Sequence, residues 1–294
     1  EIDEPCIFKR VTLRSRVVRD ACIAQRDPRF PNPGDCSSGE IPRELGDLVA
    51  LEALHLSGSR LTGEIPKDLS RLASLRTLYL EDNLLTGGIP PELSNLVALH
   101  GITLAQNGLT GEIPVGFVDL RSLRTLDLSK NQLTGRVPSG LYRLPFLEGV
   151  GLADNDFSGN LPSTFTAPFG SIGLKTLFLS NNQFTGPIPR SLGPMANLQV
   201  LLLFGNQLVG TIPLELGLLQ KLEGLDLSGN ELTGGIPREL GDLVSLPPPH
   251  RPHKGLPWNT NGPGKACFPR KTGSVQKPAN WQNTAGAGQP CRYS

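Results

Sequence analysis

Residues 75–98 of the chain are LRTLYLEDNLLTGGIPPELSNLVA, and this pattern recurs through the middle of the sequence. Aligned on the first leucine, the chain contains eight such units, seven of 24 residues and a fifth of 27. The units begin at Leu51, Leu75, Leu99, Leu123, Leu147, Leu174, Leu198 and Leu222, after a half unit at 39–50. This period predicts a stacked array in which each unit buries its apolar edge against its neighbours.

Each recurring position of the unit has a structural task. Leu78 and Leu80 alternate with Tyr79 and Glu81, which predicts a short strand whose leucines point inward. The Asn that follows can satisfy buried backbone groups of its own unit and of the neighbouring unit, and it recurs at Asn83, Asn107, Asn131, Asn155, Asn182, Asn206 and Asn230. A Gly then permits unusual backbone angles, and an Ile-Pro pair turns the chain. The final Leu-x-x-Leu spacing fits a short helical or 3₁₀ segment on the far side.

The units resemble plant-type leucine-rich repeats, the LxxLxLxxNxLTGxIPxxLGxL kind of receptor-kinase ectodomains and polygalacturonase-inhibiting proteins. The resemblance covers residues 39–245. It implies an α/β repeat fold: a curved solenoid with a concave parallel β-sheet used for recognition and short helical or 3₁₀ segments on the convex side. It also implies a second small sheet along the LTGxIP edge, with residues 61–65 as its first copy.

The formal net charge of +1 is the sum of three unlike segments. Residues 1–38, a cysteine-containing cap, carry seven basic and six acidic residues; the solenoid at 39–246 carries fourteen and twenty-one. Residues 247–294 carry seven basic and no acidic residues and are rich in Pro and Gly, which predicts an irregular cap or flexible basic tail. Such a tail could lie against the acidic solenoid, an association that salt would weaken.

Several functional classes are disfavoured by the sequence. No run of eighteen apolar residues exists, so no segment is expected to span a membrane. A repeat region of charge −7 is a poor partner for nucleic acid, whose binding depends on neutralising phosphates. We find no catalytic motif, cofactor motif or kinase signature, and interpret paired acids such as Glu81 and Asp82 as solvated charges. The sequence therefore predicts no enzyme activity and no cofactor.

The five cysteines lie outside the repeats, at Cys6, Cys22, Cys36, Cys267 and Cys291. These positions suit disulfides that would stabilise the two ends of the array in an oxidising compartment. Free thiols in a cytosolic protein are the alternative interpretation. The pairs to test are Cys6 with Cys22 or Cys36, and Cys267 with Cys291. The odd count leaves at least one cysteine unpaired within the chain. No Cys-x-x-Cys is present, and we expect no metal site.

The array departs from the family pattern at several points. Ser59 replaces the Asn of unit one, Val209 replaces the usual Thr of unit seven, and unit five has three extra residues within 166–173, which we expect to bulge. The Trp-Gly cap of plant extracellular members is missing, and the chain has no N-x-[ST] sequon. These departures weaken the transfer of location and partner from the family.

Outward positions of successive strands should stack into columns on the concave face. The central column runs from His55 through Tyr79, Thr103 and Asp127 to unit eight. Phe178, Leu202 and Phe204 form an expected apolar patch on units six and seven, a suitable anchor for a partner. The same residues could instead pack against the tail or one another. The remaining candidate ligand-binding residues form a mixed polar face: Tyr79, Asp82, Asp127, Lys130, Asp154 and Lys175.

The pattern therefore predicts a noncatalytic recognition module that binds a protein, peptide or cell-wall glycan, as in signalling and defence receptors. Its expected location is extracellular or at the cell surface, with a cytoplasmic location not excluded, and any co-receptor or kinase would lie outside this chain. One alternative is inhibition of a cell-wall glycanase. A further alternative is ice binding by the threonines found at one position of six units, at Thr62, Thr86, Thr110, Thr134, Thr185 and Thr233.

Overall fold

A computed structural model of the chain describes residues 39–165, 173–243 and 245. Each of the eight units contributes one strand to a parallel sheet, in which neighbours in sequence are neighbours in space. We call this the concave sheet; its strands are Ala53–His55, Thr77–Tyr79, Gly101–Thr103, Thr125–Asp127, Gly149–Gly151, Thr176–Phe178, Val200–Leu202 and Gly224–Asp226. The predicted leucine-rich repeat solenoid is confirmed.

The register of the concave sheet stacks equivalent residues. Leu78 pairs with Leu54 on one side and Ile102 on the other, and all three are fully buried. Because neighbouring units here have the same length, each inward apolar residue pairs with its counterpart in the next unit. The result is one continuous apolar core along the array, since no unit has enough apolar surface to form a core alone.

The far side of the described array consists of 3₁₀ segments. They are Arg43–Asp47, Lys67–Arg71, Pro91–Asn95, Val115–Asp119, Leu141–Arg143, Arg190–Leu192, Leu214–Leu218 and Arg238–Asp242. Most begin directly after the proline of the Ile-Pro pair, because proline fixes φ and needs no hydrogen bond from its nitrogen. Of the two forms predicted for the convex side, the structure has 3₁₀, and most segments place a leucine such as Leu69 in the core, with Phe117 in that role in unit three.

A second parallel sheet lies along the LTGxIP edge, as predicted. Its strands are Thr110–Gly111, Gln132–Leu133, Ser158–Asn160, Gln183–Pro187, Gln207–Thr211 and Glu231–Thr233, in a pair and a group of four. The first copy is reduced to isolated bridges, Glu40 with Thr62 and Glu64 with Thr86. We call this the lateral sheet. The glycine at its turn has positive φ, for example +75° at Gly87, so the prediction of unusual backbone angles there is confirmed.

The asparagines form a buried hydrogen-bonded ladder between units. Asn131 Nδ2 donates to the carbonyl oxygens of Leu104 and Leu128, each at 3.0 Å, and its Oδ1 accepts from the Leu109 backbone N–H at 3.0 Å. The same bonds recur at the other six positions. In unit one, the backbone N–H of Ser59 donates to Asn83 Oδ1 of the next unit. The predicted role of the asparagines is confirmed.

Parts of the three segments predicted from the sequence lie outside the described residues. These are the cap at 1–38 with its cysteines, the segment 166–172 of the unit-five insertion, and the tail at 247–294 with the other two cysteines. The disulfide pairings and the expected bulge therefore stay predictions.

Replacing Asn131 by Ala should lower the free energy of unfolding by about 3–5 kcal/mol, because it leaves several buried backbone groups without partners. Urea denaturation followed by circular dichroism measures the change. Asn95→Ala is the matched control, since Asn95 is exposed at the end of a 3₁₀ segment. Equal losses for the two variants would contradict the proposed importance of the ladder.

Candidate functional site

The concave sheet presents two chemically different surfaces. In the central column, units one to four carry His55, Tyr79, Thr103 and Asp127. Units six and seven carry the apolar side chains of the predicted patch. The strand register places these residues side by side, so the columns expected from the repeat period are present in the structure.

Unit five separates the two surfaces. Its strand presents Gly149 and Gly151 on the concave face, and Gly151 pairs with Asp127 on one side and Phe178 on the other. The next outward position is Ala153. Because none of these residues has a side chain larger than a methyl group, the face is low between Asp127 and Phe178.

The polar surface begins with an aromatic pair. The rings of His55 and Tyr79 stack with centroids 4.5 Å apart and planes 12° apart. His55 Nε2 and Thr77 Oγ1 share a hydrogen bond of 2.9 Å, which holds the imidazole in place. The Tyr79 ring covers Gly101, where a Cβ atom would come within 3.1 Å of it. Burial lowers the pKa of His55 and raises the pKa of Tyr79.

Asp127 lies at the unit-four end of the polar surface and is 8% exposed. Its Oδ1 accepts a hydrogen bond of 3.0 Å from the Ser129 backbone N–H. Burial raises the pKa of this carboxyl from 3.8 to about 6, with a smaller contribution from the negative charge of Glu81. A buried carboxylate with so high a pKa is a candidate binding group, because a cation placed against it would relieve its desolvation.

Glu81 is the residue that the sequence interpretation assigned wrongly. It was expected to be a solvated charge, but it is half-buried, and its buried Oε2 atom has no hydrogen-bond partner within the part of the chain that the structure describes. Its charge raises the pKa values of Tyr79 and Asp127 and opposes the effect of burial on His55. Its place in the column next to Tyr79 was visible in the sequence, whereas its burial depends on neighbouring strands, which the local sequence does not show.

The apolar surface brings the three predicted residues together. Phe178 and Leu202 pair on adjacent strands, and Phe204 follows two positions after Leu202 on the same face. All three are half-buried. The described structure therefore contains the expected contiguous patch, with its role in binding still a prediction.

Three of the proposed ligand-binding residues lie in a turn at the end of the strand. Asp82, Lys130 and Asp154 each precede a ladder asparagine and have φ of 60°, 58° and 58°. Asp tolerates this left-handed conformation better than most residues, and the equivalent position in units seven and eight is Gly205 or Gly229. Turn formation therefore accounts for part of the residue choice here. The side chains form the rim of the concave face rather than its centre.

Lys175 lies at the opposite edge of the sheet and belongs to an ion-pair network. Its Nζ atom is 2.7 Å from Glu148 Oε2, and Arg124 Nη1 is 2.9 Å from Glu148 Oε1. The hydrogen bond from Lys175, followed by that from Arg124, lowers the pKa of Glu148. Because the pairs join units four, five and six at an exposed edge, we assign Lys175 to the edge rather than to the central polar surface.

The recurring threonines occupy the lateral sheet, where most are exposed. Their register is staggered: Thr110 lies between Gly88 and Gln132, and Thr185 pairs with Gln207. The row of threonines expected from the repeat is therefore diagonal to the strands. Hydroxyls of Thr86 and Thr134 donate to backbone carbonyls of the preceding unit at 3.4 and 3.3 Å, which gives this residue type a structural task.

The described residues contain no group of three or more His, Cys, Asp or Glu placed to hold a metal ion. Within the same part of the chain, no helix has the length and apolar character needed to cross a membrane.

Comparisons with known proteins agree with this architecture. The Leucine Rich Repeat family model matches residues 50–72, 74–96, 122–144, 173–195, 197–219 and 221–243. The plant peptide hormone receptor RGFR1 in complex with RGF2 is 36% identical over 71% of this chain and 33% of its own, with TM-score 0.67. The ectodomain of the Arabidopsis receptor kinase HAESA, in complex with an extended IDA peptide hormone, is 34% identical over 71% and 38%, with TM-score 0.58.

A plant ice-binding protein is also similar, with 28% identity over 71% of this chain and 66% of its own and a TM-score of 0.60. The chain spans 28–40% of the length of the first three receptor structures that it matches. No curated protein matches it.

Parallel strands, 3₁₀ segments and a buried asparagine ladder together define a leucine-rich repeat solenoid. The LTGxIP pattern and its second sheet specify the type further. The chain is a plant-type leucine-rich repeat protein.

The raised pKa of Asp127 predicts a pH-dependent stability. Because the folded chain holds this proton more tightly than the unfolded chain, the contribution of Asp127 to stability falls as pH rises from about 4 to about 6. Asp127→Asn keeps an oxygen for the Ser129 N–H and removes the buried charge. It should raise the free energy of unfolding at pH 7.5 by about 1–3 kcal/mol and leave it nearly unchanged near pH 4, measured by urea denaturation.

Asp226→Asn is the matched control for this prediction. Asp226 occupies the same repeat position and accepts the same 3.0 Å bond from a backbone N–H, that of Ser228, but is more exposed. If Asp127→Asn raises the free energy of unfolding equally at the two pH values, ionisation of the Asp127 carboxyl is not the cause of the gain in stability.

Proposed function

We propose that this protein is a recognition module whose concave sheet binds an extended peptide. The observation that carries the proposal is the division of one face into a polar surface with the buried Asp127 and the half-buried Glu81, and an apolar surface with two phenylalanines. Receptor ectodomains with the same repeats, RGFR1 and HAESA, are in complex with peptide hormones, which supports this ligand class over a glycan.

The dimensions of the sheet suit such a ligand. Eight parallel strands spaced at about 4.8 Å span about 34 Å, the length of about ten residues in extended conformation. A peptide lying across the strands contacts both surfaces and passes over the small residues of unit five. The rigid face needs no ordering on binding, so the entropic cost falls mainly on the peptide.

The proposed setting follows from the same relatives. An extracellular or cell-surface location and a signalling or defence role fit a chain similar to receptor ectodomains. Any kinase or co-receptor that acts with it would be a separate partner or segment. The glycanase-inhibitor alternative stays a prediction from the sequence.

Panning a phage-displayed library of random 12-residue peptides against the protein tests the proposal. Enriched peptides should bind Phe178→Ala/Phe204→Ala at least about 30-fold more weakly than the unmodified protein, because aromatic anchors near an interface centre cost about 2 kcal/mol or more when truncated. Biolayer interferometry gives the affinities.

Phe146→Ala is the control, since Phe146 is 55% exposed and lies outside the strands of the concave sheet. Circular dichroism must show that each variant keeps its fold. Failure to enrich any peptide would refute peptide recognition, and equal binding by the double variant would refute the placement of the apolar anchor.

A second candidate function is ice binding by the lateral sheet. The exposed threonines and the similarity to a plant ice-binding protein favour it, while the staggered register and the interruption at Val209 disfavour it. A regular array is needed for ordered water, and the diagonal row supplies it less well than a straight one.

If this second function operates, the protein should inhibit ice recrystallisation at micromolar concentration, and Thr110→Lys/Thr134→Lys should abolish the effect. Both threonines are exposed, so the substitutions disturb the lateral surface without entering the core. Val97→Lys, at a residue 60% exposed in the Leu-x-x-Leu part of unit two, is the control. No inhibition by the unmodified protein would remove this candidate.

A further inference from the structure

The polar surface contains a carboxylate whose hydrogen bonding is incomplete. Glu81 Oε2 is buried and, among the described residues, has no hydrogen-bond partner. Leaving a carboxylate oxygen buried and unpaired costs free energy, which a bound donor or cation would recover. Since Glu81 follows the concave strand Thr77–Tyr79 at an outward position, a group that reaches it must come from the concave side.

Asp127 provides a second acid two strands away. It is 8% exposed, and the residues that lie between the two acids in the sheet, Thr103 and Ala105, are small and buried. They form a low floor flanked by carboxylates. The two acids interact, because the charge of Glu81 raises the pKa of Asp127.

An aromatic wall closes one side of this floor. Tyr79 pairs with Thr103 in the sheet, and its ring is held by stacking on His55 and by contact with Gly101. An aromatic face beside two acids is a favourable environment for a cation. Each of these residues belongs to a strand of the concave sheet or lies next to one, so the sheet positions all of them.

The charges that face this floor remain unbalanced. Burial lowers the pKa of His55, which favours the neutral imidazole at pH 7. Lys130 supplies an opposing charge, but its effect on the pKa of Asp127 is smaller than that of Glu81, and its Nζ donates to Gln106 Oε1 at 3.4 Å. The floor therefore keeps a negative potential.

From this arrangement we propose that Glu81, Asp127 and Tyr79 form a subsite for a cationic group of the bound peptide, a lysine or arginine side chain or an amino terminus. The subsite rests on the proposed function, since it specifies one end of the same peptide. Its centre lies at unit three, and the apolar patch lies between units six and seven, about 17 Å away across the strands. The ligand therefore carries a basic group about five extended residues from an apolar or aromatic residue.

The panned peptides test this inference separately from the proposed function. Basic residues should be enriched, spaced about five residues from an apolar residue, and these peptides should bind Glu81→Gln/Asp127→Asn at least tenfold more weakly than the unmodified protein. Asp226→Asn is the matched control, because Asp226 occupies the repeat position of Asp127 in unit eight. It should bind the same peptides with unchanged affinity.

Enriched peptides that have no basic residue, or that bind the double variant equally well, would overturn the subsite and leave peptide recognition standing. Both substitutions are isosteric and keep an oxygen acceptor, so folding is expected to survive. Thermal denaturation of each variant checks this expectation.

A small cation gives a second measurement that does not depend on peptide selection. N-acetylarginine amide should cause saturable shifts of the Ala105 and Ser129 backbone amide signals in NMR spectra, because these residues lie on the floor and beside Asp127. The neutral isostere N-acetylcitrulline amide should bind at least tenfold more weakly. Equal shifts with the two compounds, or undiminished shifts in the Glu81→Gln/Asp127→Asn variant, would refute a cationic subsite.

Discussion

The hydrogen bonds of the buried asparagines are the constraint on which the rest of the structure depends. Each strand ends in a turn that buries backbone carbonyls of two units, and water cannot reach them there. One amide side chain donates to both carbonyls and accepts from a third backbone group of the preceding unit. Apolar stacking alone would allow the units to slide, whereas these bonds set the register. The straight pairing of Leu54, Leu78 and Ile102 follows from that register.

With the inward positions committed to leucine and asparagine, chemical variety is confined to the outward columns. Neighbouring units can differ completely there without disturbing the core, as Asp127, Gly151 and Phe178 do on three consecutive strands. The separation explains how a regular array forms an irregular recognition surface. It also explains why the bulk of Tyr79 is accommodated, since it lies over Gly101 in the next unit.

The fold and the composition of each column could be predicted from the sequence, because a fixed period maps directly onto a fixed register. Burial within the columns could not, since it depends on neighbours across strands. Glu81 follows Tyr79 in an outward column, yet its Oε2 atom is buried. The strand-end turn of Asp82 and Lys130 was missed because its left-handed backbone has no fixed residue type. The staggered arrangement of the threonines was missed because strands of the lateral sheet pair with an offset of two residues relative to the register of the concave sheet.

The two surfaces of the concave face differ in what they contribute to recognition. An apolar patch adds affinity for many partners, because burial of apolar area is non-directional. A buried acid discriminates, because it excludes ligands that cannot satisfy it and loses little by binding one that can. The small residues of unit five lie between the two surfaces, so separate parts of a ligand that crosses the strands would contact them. Under the proposed function, specificity would therefore depend on spacing along the peptide as well as on side-chain type, and the number of repeat units between the two surfaces would set that spacing.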